Sequence, residues 1–340
     1  VPRLIPIDAE GQAFVDGMRR AWDEGDAVAP LDPRLPPAAR AAVLAAFRVD
    51  MPVDDGDALV VATSGTSGEP KAVVLTHDAV EASADASNAA LGVDPSTDAW
   101  LVCLPLAHIG GLSVVTRALH AGTPFTFDGT ATLVSLVPTQ LRRMDVSRFR
   151  RVLLGGAAAP GAVPPNVVRT YGMTETGSGV VYDGRPLEGV ELRVEDGQVF
   201  VRGPMLLRSY RDGSDPKDPD GWLATGDAGS IRDGILSVHG RVDDVINTGG
   251  EKVWPVAVER ALADVPGVAE LAIAGRVDPE WGERVVAFVV PRDPAAPPSL
   301  DALRDHVKQT LPAYCAPREL VLLDELPRTA SGKVRRGELR

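Results

Sequence analysis

From residue 58 onward, short apolar runs alternate with helix-patterned segments, and that alternation restricts the chain to layered α/β architectures. The runs lie at 58–62, 72–75, 101–104, 124–127 and 152–154, with helical segments at about 77–91, 112–121 and 138–143. This spacing predicts helices covering a sheet. Thr76 is placed to cap the helix that follows residue 75, Asp78 and Glu81 suit its positive end, and Gly92 closes it. Upstream, 9–23 and 38–48 read as amphipathic helices joined by a proline-rich connection at 30–37.

The pattern changes between about 186 and 240. Runs at 190–194, 199–201 and 235–238 are separated by turn signals: Asp196-Gly197, Asp212-Gly213, Asp220-Gly221 and Asp233-Gly234. This is the signature of a β-rich subdomain of hairpins. Past Gly240, helical patterns at 255–264 and 299–311 alternate with strands at 268–274, 284–290 and 319–323, a compact α+β unit. The expected fold class is therefore α/β. A large amino-terminal domain, 1–240, holds α/β layers plus the β-rich subdomain, and a small α+β domain, 241–340, follows it.

Composition narrows the function. Lys plus Arg number 35 against 47 Asp plus Glu, a net charge of −12, which weighs against a general nucleic-acid surface. No apolar stretch approaches the roughly 18 residues that a membrane span requires; Arg40, Asp57 and Pro138 break the longest ones. The amino end lacks a basic region followed by an apolar run, so no signal peptide is expected. Cys103 and Cys315 form no disulfide framework and have no metal-type spacing, which fits a cytoplasmic protein. Only five lysines occur (Lys71, Lys217, Lys252, Lys308 and Lys333), so a lysine in a glycine-containing loop stands out against the arginine background.

Such a loop is Thr63-Ser64-Gly65-Thr66-Ser67-Gly68-Glu69-Pro70-Lys71. Its hydroxyls and backbone N–H groups can converge on anionic oxygens, with Lys71 adding a mobile charge at the exit. The spacing is not that of a Walker loop, and the segment joins two strands rather than a strand and a helix. Taken alone, it also reads as a polar hairpin loop. The full string, however, resembles the phosphate-binding signature of the adenylate-forming superfamily, which includes acyl-CoA synthetases, luciferases and peptide-synthetase adenylation domains. Four further motifs follow in that superfamily's order. Tyr171-Gly172-Met173-Thr174-Glu175-Thr176 resembles its adenine and magnesium motif, and Thr225-Gly226-Asp227 its ribose motif. Gly240-Arg241-Val242-Asp243-Asp244 resembles its hinge, and Pro327-Arg328-Thr329-Ala330-Ser331-Gly332-Lys333 the motif that carries its catalytic lysine.

The resemblance implies an ATP site built from Thr63, Ser64, Gly65, Thr66, Ser67, Gly68, Lys71, Gly156, Tyr171, Gly172, Thr174, Asp227 and Arg241. Tyr171 offers a face for adenine, Thr174 a hydroxyl for a phosphate oxygen, and Glu175 a hard oxygen for Mg²⁺. Asp227 can accept from both ribose hydroxyls. Lys333, with Thr174 and Glu175, is the implied catalytic set: a cation placed where the α-phosphate meets an attacking carboxylate cancels their repulsion. Asp243 is the implied hinge of a mobile carboxy-terminal domain, and Gly249 and Gly250 belong to the loop used in the CoA step. The implied reaction joins a carboxylate to the α-phosphate of ATP and releases pyrophosphate, after which the CoA thiol displaces AMP. Mg²⁺ and CoA accompany ATP, no protein nucleophile is needed, and catalysis rests on orientation and charge stabilisation.

The acid pocket is expected around Leu104-Pro105-Leu106-Ala107-His108-Ile109-Gly110-Gly111-Leu112, with His108, Arg117 and Gly172 as substrate contacts. In finer detail the chain resembles the short ligases of menaquinone biosynthesis that act on o-succinylbenzoate. Leu154-Gly155-Gly156-Ala157-Ala158-Ala159-Pro160 and the stretch from Arg169 through Val190 carry that likeness. Arg117 stands where that branch has an arginine for its dicarboxylate, and a second carboxylate gives a physical reason for a cation. Without the resemblance, Arg117 reads as a solvated helix charge and His108 as a structural or surface residue. Competing functions are a CoA ligase for another aromatic or aliphatic acid, a ligase serving a different acceptor, and a non-catalytic adenylate sensor. The expected partners are small molecules, without nucleic acid or a membrane span, and homo-oligomerisation is left open. The glycine loop begins only 62 residues in, so a shortened amino-terminal subdomain is expected, and residues 1–57 carry no motif.

Overall fold

The computed structural model describes residues 1–64, 70–156, 161–328 and 334–339, with Ser64 described through its backbone. The chain divides into two compact units. One comprises Val1–Arg193, Phe200–Ala224 and Ile231–Leu236; the other comprises Val194–Val199, Thr225–Ser230 and Ser237–Arg340.

The first unit opens with β1 (Leu4–Ile7), α1 (Gly11–Asp23), β2 (Ala27–Pro30), α2 (Pro37–Phe47), β3 (Asp57–Ser64), β4 (Pro70–Thr76) and α3 (His77–Leu91). The four strands form a sheet in the order β1-β2-β3-β4, completed beyond β4 by a two-residue strand, Ser209–Tyr210. β1 and β2 are additions to the sequence reading, which saw only helices and a proline-rich connection in this region. Pro6 lies in edge strand β1 and Pro30 ends β2, positions where a missing N–H is tolerated. Leu4, Ala27, Ala29, Leu31, Phe47, Val60 and Val74 make a shared core beneath the sheet. The chain after α2 is fastened by Arg211, which donates to the carbonyls of Phe47, Arg48, Met51 and Pro52 at 3.0, 3.2, 2.5 and 3.0 Å. Helix α3 has the expected ends: the Ala79 N–H donates to Thr76 Oγ1 at 3.1 Å, and Gly92 closes it in the left-handed conformation.

The second sheet uses β5 (Trp100–Leu101), α4 (Ile109–Ala121), β6 (Phe125–Thr126), β7 (Leu133–Leu136), α5 (Pro138–Leu141), β8 (Arg151–Leu154), β9 (Val167–Met173), β10 (Ser178–Tyr182) and β11 (Arg185–Pro186). Its order is β11-β10-β9-β8-β7-β5-β6, parallel from β9 to β6, with β10 antiparallel at one side. The run at 101–104 contributes only two strand residues. Val102 still donates to Thr126, but the chain then turns at Leu104-Pro105 into α4.

Next come β12 (Glu191–Glu195), β13 (Gln198–Arg202), β14 (Ser209–Tyr210), β15 (Leu223–Arg232) and β16 (Ile235–Arg241), with a four-stranded sheet in the order β12-β13-β15-β16. Asp196-Gly197 and Asp233-Gly234 both have two positive φ angles, as a two-residue hairpin turn demands. At 212–213 and 220–221 only the glycine does; there Asp212 and Asp218 accept from nearby N–H groups, making side-chain-closed loops instead.

The remainder of the second unit contains β17 (Ile246–Thr248), β18 (Glu251–Val253), α6 (Pro255–Leu262), β19 (Val268–Asp278), β20 (Gly282–Pro291), α7 (Leu300–Lys308) and β21 (Glu319–Leu322). The sheet runs β18-β17-β20-β19, with β21 parallel to β20. Strand alternation gives it two apolar faces. Ile273, Val285, Ala287 and Val289 pack with Val258 and Leu262 of α6 and Leu303 and Val307 of α7. Ala272, Ala274, Val286 and Phe288 pack with Leu326, Val334 and Leu339 near the carboxy-terminal end. Among the described residues, no helix is long and apolar enough to cross a membrane.

Candidate active site

The glycine-containing segment joins β3 to β4. Thr63 pairs with Lys71 and Ser64 with Pro70, so the register delivers both ends of the loop to one place. Gly65, Thr66, Ser67 and Gly68 lie outside the described residues. Lys71 is exposed, and its Nζ sits 4.8 Å from the centroid of the Tyr210 ring. Gly156 follows β8 with φ +81°.

Tyr171 and Gly172 lie just before the end of β9 at Met173, Thr174–Thr176 form a single 3-10 turn, and β10 returns antiparallel. This crossing is tight: a Cβ on Gly172 would lie 2.0 Å from the Ser178 carbonyl oxygen, so no other residue fits there. Buried Thr176 locks the turn by donating to the carbonyls of Met173 and Ser178 at 2.9 and 2.7 Å. The turn leaves Tyr171, Thr174 and Glu175 half-buried. The Glu175 carbonyl accepts from the Leu207 N–H at 2.8 Å, and its Oε1 accepts from the Tyr210 hydroxyl at 3.0 Å. Burial first, and then the Glu175 carboxylate, push the Tyr210 phenol well above its usual range, so it remains a donor. Among the described residues, no three His, Cys, Asp or Glu side chains gather into a protein metal cage. Mg²⁺ is commonly held by one or two carboxylates with phosphates and water, and the half-buried Glu175 carboxylate suits that mode.

His108 and Arg117 have different surroundings. His108 is exposed at the N-cap of α4, while Arg117 is only 4% exposed in the middle of that helix. Of the two readings of Arg117, a solvated helix charge and a substrate-binding cation, the first is excluded, because the face of α4 that bears it packs inward. Its guanidinium donates to Ser113 Oγ at 2.9 Å and Ser135 Oγ at 3.3 Å, and lies 5.4 Å from the Trp100 ring centroid. Its Nε has no partner among the described residues, and no carboxylate pairs with the group there. Burial pulls its pKa below the ordinary arginine value. Close by, Ser87 and Tyr182 share a short hydrogen bond, and Asn88 donates to the Arg117 carbonyl at 3.0 Å.

The second unit brings Asp227 and Arg241 together. Arg241 Nη1 donates to the Thr225 carbonyl at 2.8 Å and to Asp227 Oδ1 at 3.2 Å, while Thr225 Oγ1 accepts from the Asp227 N–H. Gly226, at φ +70°, makes room for this: a Cβ there would lie 2.5 Å from Arg241 Nη2. Asp243 is exposed in the 3-10 turn Val242–Asp244. Gly249 and Gly250 form the two-residue turn between β17 and β18, both at positive φ and both exposed. Lys333 lies outside the described residues. The flanking chain is anchored by the bridge between Arg328 and Val334, and by Arg336, which donates to both oxygens of Glu259 at 2.8 Å and to Asp244 at 3.3 Å. Sequence reasoning overlooked Tyr210 and the serines that hold Arg117, since neither lies in a motif.

The AMP-binding enzyme family matches residues 48–211, and the AMP-binding enzyme C-terminal domain matches residues 257–333. A probable 2-succinylbenzoate–CoA ligase of Mycobacterium tuberculosis is 40% identical over 343 residues, covering 89% of this chain and 89% of that protein. The 2-succinylbenzoate–CoA ligase of Listeria monocytogenes is 32% identical over 83% of this chain and 69% of its own length. Among solved structures, o-succinylbenzoate CoA synthetase from Bacillus subtilis in complex with the acyl-adenylate intermediate OSB-AMP superposes with a TM-score of 0.87 at 27% identity, covering 100% of this chain and 88% of that one. The same B. subtilis enzyme in complex with ATP and magnesium gives a TM-score of 0.87 at 27% identity, over 99% of this chain and 89% of that one.

Proposed function

This chain belongs to the AMP-binding enzyme family, and on that footing we propose that it is an ATP-dependent 2-succinylbenzoate–CoA ligase of menaquinone biosynthesis. The observation that carries the reading is the 40% identity to a probable ligase of that activity over 89% of both chains. The buried guanidinium of Arg117 supports the choice of acid, since a dicarboxylate has one group to react and another to pair with a cation.

In the first half-reaction an oxygen of the acid's carboxylate bonds to the α-phosphorus of ATP as the bond to pyrophosphate breaks. In the second, the CoA thiolate adds to the acyl carbonyl, AMP departs, and a thioester remains. When bound, magnesium neutralises phosphate charge and orients the leaving pyrophosphate. The protein's share is placement. Lys71 and the backbone of the segment joining β3 to β4 hold phosphates, Tyr171 and Gly172 line the adenine, and Thr174 reaches a phosphate oxygen. The Asp227–Arg241 pair presents a fixed carboxylate to the ribose. We assign Lys333 to the α-phosphate and the attacking carboxylate, Asp243 to the pivot between half-reactions, and Gly249-Gly250 to the CoA step. His108, exposed at the start of α4, is the candidate gate for the acid. The cytosol, which supplies ATP and CoA, is the compartment that this chemistry requires.

The test is pyrophosphate release with Mg-ATP and a panel of o-succinylbenzoate, indoleacetate, benzoate and medium-chain fatty acids, with and without CoA. Selective turnover of o-succinylbenzoate to a CoA-dependent thioester is expected. Selective turnover of another acid removes the substrate assignment. Lys333→Ala is expected to stop adenylation while sparing thioester formation from supplied acyl-AMP, and equal loss of both would undo the role given to that lysine.

A further inference from the structure

Tyr210 occupies a position that none of the nucleotide motifs explains. β14 pairs antiparallel with β4, setting Tyr210 opposite Val73. Opposed residues point to the same face of a sheet, and so do residues two apart on one strand. Lys71, two residues before Val73, is therefore the diagonal neighbour of Tyr210, and the ammonium lies 4.8 Å from the ring centroid. The hydroxyl at the far end of that ring donates to Glu175 Oε1 at 3.0 Å. The Glu175 backbone is bound to the same segment through the Leu207 N–H at 2.8 Å. One side chain thus touches the cation at the exit of the glycine loop with its face and the carboxylate suited to Mg²⁺ with its edge.

We propose that Tyr210 is a positioning residue that sets Lys71 and Glu175 at a fixed spacing, so that the nucleotide's phosphates and their magnesium ion meet a preassembled pair of charges. The inference rests on the ATP and Mg²⁺ assignments above but not on the identity of the acid. The hydroxyl holds one carboxylate oxygen and thereby fixes the orientation of the other. The ring face gives the ammonium a favourable resting place without neutralising it, as a carboxylate neighbour would. The two functions separate chemically: Tyr210→Phe deletes the hydroxyl and keeps the face, whereas Tyr210→Leu deletes both.

The experiment measures binding of ATP by calorimetry, without Mg²⁺ and across a Mg²⁺ titration, for the wild type, Tyr210→Phe, Tyr210→Leu, Glu175→Gln and the Tyr210→Phe/Glu175→Gln double variant. Thermal melts accompany each protein. A hydrogen bond to a charged acceptor is worth roughly tenfold in an equilibrium constant. Tyr210→Phe is therefore expected to raise the Mg²⁺ midpoint by about fivefold to tenfold while Mg²⁺-free affinity stays within twofold. Tyr210→Leu is expected to weaken Mg²⁺-free binding as well, by about threefold, from loss of the ring face. In the Glu175→Gln background, Tyr210→Phe is expected to shift the midpoint by less than twofold, since the partner it orients is gone. An unchanged or lowered midpoint in Tyr210→Phe overturns the proposal, as does an equal shift in the presence and absence of Glu175. These readouts need no acid substrate. Failure of o-succinylbenzoate turnover in the wild type, with Mg²⁺-dependent ATP binding intact, would discard the ligase assignment and leave the role of Tyr210 standing.

Discussion

Replacing Arg117 by Met removes a buried charge and keeps most of the apolar stem, so it separates the cation's cost to the fold from its use to the substrate. In the folded chain the group is 4% exposed and recovers two serine hydrogen bonds, at 2.9 and 3.3 Å, and one aromatic face at 5.4 Å. The shorter bond returns about 1.5 kcal/mol and the longer one about half of that. The ring returns about 1–2 kcal/mol. Against about 3–4 kcal/mol stands the desolvation of an ion with no paired carboxylate, several kcal/mol after relaxation. The balance is a net cost of about 1–2 kcal/mol that Met does not bear, so Arg117→Met is expected to raise the unfolding midpoint by roughly 2–6 °C. Activity moves the other way. If Arg117 pairs the second carboxylate as proposed, its loss leaves a desolvated anion, about 3 kcal/mol, so kcat/KM for o-succinylbenzoate is expected to fall about 100-fold. A monocarboxylate such as benzoate, at its own lower rate, is expected to change less than threefold. Calorimetric melts and pyrophosphate release on both acids measure these quantities. A fall in the midpoint of more than 5 °C, with equal loss on both acids, would mean that Arg117 is a structural strut and nothing more.

Arg211→Met strands the four carbonyls of Phe47, Arg48, Met51 and Pro52; a loss of about 3–5 kcal/mol is expected, seen as a midpoint roughly 10 °C lower. Gly226→Ala forces a methyl against Arg241 and is expected to raise KM for ATP at least tenfold with only a small effect on KM for the acid, read from steady-state titrations of each. The acid limb of stability is set partly by Asp26 and Asp98. Arg3 holds the Asp26 carboxyl below its usual range; burial alone would raise Asp98, but Arg150 and neighbouring donors bring it lower. Carboxyls depressed on folding stabilise fully above the unfolded value near pH 4 and lose that contribution as pH falls through the folded values. Melts from pH 6 to pH 2.5 should therefore decline most steeply below about pH 4, and Asp98→Asn should flatten part of that slope.

What was legible in the sequence is what is local. The ends of α3 follow from Thr76 and Gly92, and the hairpins at Asp196-Gly197 and Asp233-Gly234 follow from pairs that accept positive φ. The five motifs were legible for the same reason, since each is a contiguous string. Residues that act through long-range pairing left no such trace. Tyr210 meets Lys71 only because β14 joins β4, and no periodicity in residues 200–214 announces a two-residue strand. β1 and β2 were missed because four-residue strands broken or ended by proline carry too short a pattern to outweigh the helices around them.

The setting of Arg117 bears on function. With 47 Asp and Glu in the chain, carboxylates are abundant, and half-exposed arginines find them: Arg150 with Asp98, Arg208 with Asp57, Arg241 with Asp227. Among the described residues two arginines are buried. Arg211 is surrounded by carbonyl dipoles that suit a permanent structural cation. Arg117 has two hydroxyls and an indole face, a set that holds a guanidinium in place while leaving its charge uncancelled. Fold stability alone favours an apolar residue at such a position. A cation kept there at a cost to the fold fits the proposed substrate role of Arg117, since a dicarboxylate acid carries a second carboxylate that takes no part in the bond-making.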